Sequence, residues 1–292
     1  MSIIDLKELI VVMGLSIPLF ALAKSTALLF MDEADFKLRR NVWLILTFAA
    51  FVSPTFWIFV AVAAPVTYWA GKRDKNPIAL FLMLMNVIPP IAVSIPPLLV
   101  NEIFPLTIFR LLSFCVLVPA ALRLRKSKEA EQIKGLRLMD AALLGFGALT
   151  LVLYVPPDFG PNIILPNSVT NDIRTAFLYI VDIYVLYYVA SRSCTDQRKL
   201  RETLAVFCLA CSLLAIIAIF EGAKHWLLYT GINSRWGGNS VLDEYYMRGD
   251  SLRAQASTGE PMSLAFLLVF AFGFWLYLQS RVKDTQIGRA HV

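Results

Sequence analysis

Apolar residues in this chain gather into long runs, at about 9–31, 42–70, 77–99, 106–122, 138–155, 174–190, 203–222 and 261–280, and charges are confined to short clusters between them. A helix rises about 1.5 Å per residue, so crossing roughly 30 Å of hydrocarbon takes about 20 apolar residues. The pattern therefore predicts an all-α, multi-pass integral membrane helical bundle of about eight transmembrane helices. The second run is long for one span, and Pro54 is a point at which it could break into a tight hairpin; it is read instead as a single tilted or kinked helix, because its charged flanks then agree with the other loops. The third run carries Pro89-Pro90 and Pro96-Pro97, each of which removes a backbone donor, so this helix is expected to be broken or kinked in its outer half. Interrupted helices survive in a bilayer where they line protein or a wet cavity.

Lysine and arginine in the short loops set the orientation. Lys72, Arg73 and Lys75 share one loop; Arg123, Arg125, Lys126, Lys128, Lys134 and Arg137 share another; Arg192, Arg198, Lys199 and Arg201 a third; Arg281 and Lys283 follow the last run. Residues 100–105 and 156–173 hold no lysine or arginine. The basic loops are thus expected in the cytoplasm together with the N-terminus, which leaves 156–174 and about 223–260 outside. Residues 32–41 depart from the rule: Lys37, Arg39 and Arg40 would face outward, accompanied by Asp32, Glu33 and Asp35.

Composition sharpens the class. Charged residues make up 16% of the chain, against about 25% in soluble domains, which fits a bilayer as solvent. The net charge of +6 lies in these juxtamembrane loops without basic-aromatic interleaving, which argues against nucleic acid as a partner. Cys208 and Cys211 form a C-x-x-C, but in the middle of an apolar run, where two small side chains on one helix face are the expected role. Asp5, Lys7 and Glu8 give the N-terminal region a net negative charge, so residues 9–31 read as a retained first span and not a signal peptide. Residues 286–292, QIGRAHV, look like the translation of a sequencing adapter; on that reading the natural membrane domain covers 1–285 and continues further.

Ionisable side chains within spans are costly and call for a reason. Arg110 lies a turn below the outer end of the fourth run; Arg174 and Asp182, eight positions apart, share a face of the sixth with Tyr179; Glu221 and Lys224 mark the outer end of the seventh. These groups either pair to fix helix contacts or contribute to a site in the outer half of the membrane. Asp140 reads as an N-terminal helix charge and Lys24 as a residue snorkelling to the outer interface. The densest polar stretch is RGDSLRAQASTGEP, from Arg248 through Arg253 and Gly259 to Pro261, where the last run opens. Arginine forks bind phosphate through two parallel charge-assisted bonds, and proline at a first helical turn loses nothing.

The pattern R-G-x-x-L-R-A-x-A-S-T-G-x-P at 248–261, with Phe56-Trp57, KRDKNPIALF before the third run and Glu221 ahead of an aromatic loop, resembles the O-antigen ligase and O-antigen polymerase superfamily over most of residues 40–280. That resemblance implies a bacterial inner-membrane enzyme that handles undecaprenyl-pyrophosphate-linked glycan at the periplasmic face. A ligase passes it to lipid A-core; a polymerase adds it to a growing polysaccharide. It further implies that Arg253 and Arg248 bind the pyrophosphate, with Arg110, Arg174, Asp182, Glu221, Gly259 and Pro261 in support. Neither metal nor cofactor is implied, in keeping with the lack of an H-E-x-x-H or a His/Cys ligand cluster. The family's histidine-bearing outer loop has no counterpart here, so the resemblance places the catalytic base in a continuation and implies that this piece is inactive alone. His225 does not match that histidine and is read as an interfacial residue beside Trp226. A polysaccharide transporter or flippase, and an assembly protein without chemistry, stay open beside the enzyme; proline pairs in one run only speak against a transporter built from inverted repeats.

Overall fold

A computed structural model describes residues 3–95, 104–126, 136–154, 169–237 and 245–290. Among the described residues the structure is all-α apart from two short hairpins, and three helices there are long and apolar enough to cross a membrane: Asp5–Ala27, Gln197–Lys224 and Pro261–Val282. The outer surface is apolar: Leu22, Ile219, Met262 and Val269 are all exposed, whereas Arg39, Asp74 and Glu221 are buried. A water-soluble protein would have this the other way round.

Eight uninterrupted spans are not what forms, and the departures have local causes. The 42–70 run is two helices, α2 (Glu33–Val52) and α3 (Phe56–Arg73), folded back on each other around Ser53 and Pro54. Thr55 caps α3 by accepting a hydrogen bond from the Ile58 amide, a ready start signal immediately after the proline. The third run is helical only over α4 (Pro77–Leu84); the chain then runs extended past Pro89-Pro90 into β1 (Val93–Ser94), so the expected break is present. β1 pairs with β2 (Pro105–Leu106). The fourth run is α5 (Ile108–Leu112) and α6 (Val118–Lys126), joined by a π-helical turn at Ser113–Leu117. α7 (Leu136–Tyr154) follows; α8 (Val169–Tyr179) and α9 (Val185–Ser193) are joined by a second π-helical turn at Ile180–Tyr184. α10 (Gln197–Lys224) is the central helix, packed against α1 (Ile3–Ala27), α4 and α12 (Pro261–Ala290). Most of 156–173 lies outside the described residues.

The α2–α3 hairpin changes which ends meet. At one end, Lys24 pairs with Glu33 at 2.9 Å, and Asp32 with Lys75 at 2.8 Å and Arg198 at 3.2 Å. The Lys75 hydrogen bond holds the Asp32 carboxyl below its usual range. Nearby, Arg39 lies buried and forks onto Asp74 through two 2.7 Å bonds while reaching Glu202 at 2.7 Å. Asp74 also accepts from the Asn76 amide, and Asn76 caps α4 while donating to Thr203 at 2.9 Å. KRDKNP is thus the joint where α2, α4 and α10 are fastened. Arg123 donates to the Gly71 carbonyl at 2.7 Å, at the same end. Gly71 also lets α3 pack closely on the neighbouring π-helical turn: a Cβ there would sit 3.3 Å from the Val116 backbone. Asp140 is not a helix-start charge but the ion-pair partner of Arg192. Lys24, likewise, lies at this basic end and not at the opposite interface.

At the other end, Asp5 of α1 lies 3.5 Å from Arg235 of α11 (Thr230–Trp236), close to the α2–α3 turn and the end of α10. The N-terminus therefore shares an end with Glu221 and Arg253, contrary to the expectation that it sits opposite them. With the extra turn counted, Lys37, Arg39 and Arg40 join Lys72, Arg73, Lys75, Arg123, Arg192 and Arg198 at one end, and the anomaly at 32–41 disappears.

Candidate functional site

The Arg253 end is assembled around one carboxylate. Glu221 lies in the last turn of α10 and has no exposed surface. One of its oxygens accepts from the Leu228 amide at 3.0 Å; the other accepts from the Gln255 amide at 3.0 Å and the Ala256 amide at 2.7 Å. A buried charge is tolerable when several donors converge on it, and here three do. His225 ends α10 in the left-handed conformation (φ 52°), turning the chain so that Leu228 faces back to the helix end.

The same contact explains an unusual backbone. Ala256 takes φ 49°, a conformation that costs a non-glycine residue free energy. Two amides bound to one carboxylate oxygen hold it there. From this anchor the chain makes a 3-10 turn at Ala256–Thr258, closes it at Gly259 with φ 75°, and enters α12 at Pro261. Thr258 stitches the turn by donating to the Gln255 carbonyl at 2.7 Å, and Ser257 donates to the Asn86 carbonyl beyond the end of α4. The interrupted third run thus receives this loop: Pro90, four residues on and without an N–H, leaves the Asn86 carbonyl available to Ser257.

Upstream, β3 (Met247–Arg248) and β4 (Ser251–Leu252) form a hairpin whose two-residue turn begins at Gly249, with φ 61°. Arg253 follows directly; its amide donates to the Tyr246 carbonyl at 2.8 Å, and its side chain is exposed. The backbone of Arg248 belongs to the hairpin, and its side chain lies outside the described part. Arg253 is therefore an exposed side chain on a main chain fixed at both sides, two residues before Gln255, whose amide donates to the buried Glu221 carboxylate.

The remaining expected site residues divide. Arg110 and Asp182 form an ion pair, the Arg110 Nη2 to Asp182 Oδ2 distance being 2.8 Å, and Arg110 also donates to the Pro105 carbonyl. Both lie at or beside π-helical turns, so the pair links two irregular helices. Glu221 does not join that pair. Arg174 is partly buried on α8, and Tyr179 donates to the Leu143 carbonyl at 2.9 Å. Arg174 lies on the α-helical turns of α8 and Asp182 inside the π-helical turn that follows, so plain α-helical spacing does not set their relative direction. Cys208 and Cys211 are free and rest against the Ala271 and Leu267 carbonyls of α12, a packing role.

Several residues of this end were not singled out in the sequence. Arg235 donates to the Phe51 carbonyl at 2.9 Å, and Trp236 Nε1 to the Ser53 carbonyl at 3.2 Å, so α11 satisfies carbonyls left open where α2 stops before Pro54. The Trp236 ring packs on Phe56 and Phe59 at 5.5 and 5.1 Å, the contact behind the Phe56-Trp57 signal. Glu8 is buried beside α11, and at Gly231 a Cβ would fall 2.5 Å from Asp5 Oδ1 and 2.8 Å from Glu8 Oε2. Only glycine lets these carboxylates approach. Tyr229 is wholly buried, and that burial, followed by the Glu221 charge, pushes its phenol upward, so it stays protonated. The sequence signal for Asp5 and Glu8 was their acidity ahead of an apolar run, which carries topological weight and says nothing of contact.

Among the described residues no group of three or more His, Cys, Asp or Glu side chains is placed to hold a metal. Compared with protein-family profiles, curated proteins and solved structures, the chain matches none.

Proposed function

We propose that this chain is a polytopic membrane domain of a bacterial glycan-transferring enzyme that binds undecaprenyl-pyrophosphate-linked glycan at its Arg253 end. On this reading every passage between the two ends crosses the inner membrane, the basic end is cytoplasmic, and both the N-terminus and the Arg253 loop face the periplasm. The acceptor is lipid A-core for a ligase or a growing polysaccharide for a polymerase. The supporting observation is the exposed Arg253 guanidinium on a backbone fastened by the buried Glu221 carboxylate.

A pyrophosphate leaving group gains negative charge as the glycosidic bond breaks. A guanidinium already held in place stabilises that charge without reorganising at the moment of reaction. Arg248, on the adjoining hairpin, is the second phosphate ligand in this scheme. Glu221, Gly259 and Pro261 set the loop, and Arg110 with Asp182 braces the neighbouring helices.

In nanodiscs the chain is expected to bind undecaprenyl pyrophosphate at least tenfold more tightly than undecaprenol, with Arg253→Ala erasing most of the difference. Because the side chain is exposed, the variant should keep its unfolding midpoint. Equal binding by the variant, or no preference for the pyrophosphate, overturns the reading. A flippase is favoured by the extended stretch after α4 and the two π-helical turns, features that let helices shift. It predicts transbilayer movement of lipid-linked glycan in proteoliposomes, which the transferase reading does not.

A further inference from the structure

We infer that Tyr246 is the platform on which the sugar next to the pyrophosphate stacks, so that Tyr246 and Arg253 together read one sugar phosphate. The inference rests on the pyrophosphate binding proposed above for Arg253 and adds a carbohydrate subsite to it.

The placement follows from the register of the hairpin. β3 and β4 pair Arg248 with Ser251 and Met247 with Leu252. The Arg253 amide donates to the Tyr246 carbonyl at 2.8 Å, which carries the ladder one pair further. In an antiparallel ladder directly opposite residues share a face, and side chains alternate between faces along each strand. Ser251, Arg253 and Tyr246 therefore lie on one face, and Leu252, Met247 and Tyr245 on the other. Tyr246 and Arg253 form a hydrogen-bonded pair, whose Cα atoms lie about 5.5 Å apart. The two faces meet different surroundings. β4 packs against α10, and Leu252 is buried on that side. Ser251 and Arg253 are exposed, and Tyr246 is partly so, with its ring held by the body and still open to a ligand.

The chemistry of this pair fits a sugar phosphate. Arginine takes the phosphate through its fork. On the water side of a lipid-linked pyrophosphate the next group is the first pyranose, so a phosphate held at Arg253 brings that ring beside Tyr246. A pyranose presents a face of C–H bonds polarised by neighbouring oxygens, and the negative face of an aromatic ring attracts them. Its hydroxyls need donors and acceptors at the rim, and the exposed Ser251 and Asp250 at the hairpin turn supply both. The isoprenoid half of the ligand is not served by this ring, because the Tyr246 face is turned from the apolar side that rests on α10. The register also selects Tyr246 over Tyr245, its more exposed neighbour, which belongs to the opposite face.

The test compares, in nanodiscs holding the full chain, undecaprenyl pyrophosphate with the same lipid carrying a single glucose, galactose or N-acetylglucosamine. At least one glycosylated form should bind about fivefold more tightly than the bare lipid, which is about 1 kcal/mol at about 1.4 kcal/mol per tenfold. Tyr246→Leu should abolish that gain and leave affinity for the bare lipid unchanged. Tyr246→Phe, which keeps the ring, and Tyr245→Leu, on the other face, should preserve it. Ser251→Leu removes the rim hydroxyl and crowds the same face from an exposed position, so it should reduce the gain as well, and misfolding of one variant does not shield the proposal. No gain from any of the three sugars in the wild-type chain overturns the inference, as does a gain that survives Tyr246→Leu or one that Tyr245→Leu removes. Equal losses for bare and glycosylated lipid, in a Tyr246→Leu variant that keeps its unfolding midpoint, assign the ring to the phosphate or the isoprenoid and overturn it too. If undecaprenyl pyrophosphate binds better than undecaprenol and no sugar adds to it, this inference falls alone; if that preference is missing, the reading beneath it falls as well.

Discussion

Among single residues, Glu221 governs the Arg253 end, because three amides from two separate segments converge on it. Removing the side chain strands those amides in a buried site. Glu221→Ala should lower stability by about 3–5 kcal/mol, whereas Glu221→Gln, which keeps one acceptor of the same shape, should cost about half of that. Thermal unfolding followed by tryptophan fluorescence in detergent measures both. If the two substitutions cost the same, the charge is not what holds the loop. The sequence marked Glu221 as an ionisable group needing a reason, but its partners are backbone amides 34 and 35 positions away, and amides carry no sequence signature. Arg110 and Asp182 were legible as charges in apolar runs that call for opposite partners, grouped with Glu221; that the two pair with each other and not with Glu221 is what the structure adds.

At the level of elements, the joint at Arg39, Asp74, Asn76 and Glu202 makes α2, α4 and α10 one unit. Asn76 does two things there, capping α4 with its oxygen and donating to Thr203 and the Lys199 carbonyl with its nitrogen. Asn76→Ala is expected to cost about 2 kcal/mol, one part for the cap and one for the lost donor. Asn76→Asp keeps a good capping oxygen, yet it should do no better: it loses the donor and adds a carboxylate beside Asp74 and Glu202. Comparing the unfolding midpoints decides this, and recovery by aspartate would show that capping alone matters. The proline-directed break after α4 was readable from Pro89-Pro90. The division of the second run was signalled by Pro54 but outweighed, since Ser53 and Pro54 interrupt an otherwise continuous apolar stretch and the charge rule was satisfied by either reading on most loops.

Across the whole molecule, the sorting of basic loops to one end is what composition and charge spacing made readable, and the parity of the crossings is what they did not. Lys37, Arg39 and Arg40 held the needed signal: three cations on the wrong side meant one turn too few. In a background with Cys115, Cys194, Cys208 and Cys211 replaced by alanine or serine, single cysteines at Lys7 and Lys224 should react with an impermeant maleimide from one side of the membrane. Cysteines at Lys75 and Arg198 should react from the other. Labelling of Lys7 together with Lys75 would overturn the arrangement of ends.

The turn at Ser53 and Pro54 also bears on how the protein is made. α2 begins with Glu33, Asp35, Lys37, Arg39 and Arg40, and α3 ends with Lys72 and Arg73, so neither helix meets the length and hydropathy needed to cross alone. Synthesised singly, each would partition poorly from the translocon into lipid. On the membrane-domain reading, two such helices joined by so short a turn are expected to emerge together, cover each other's polar positions and enter the bilayer as one body, Arg39 meeting Asp74 only once the second helix has arrived.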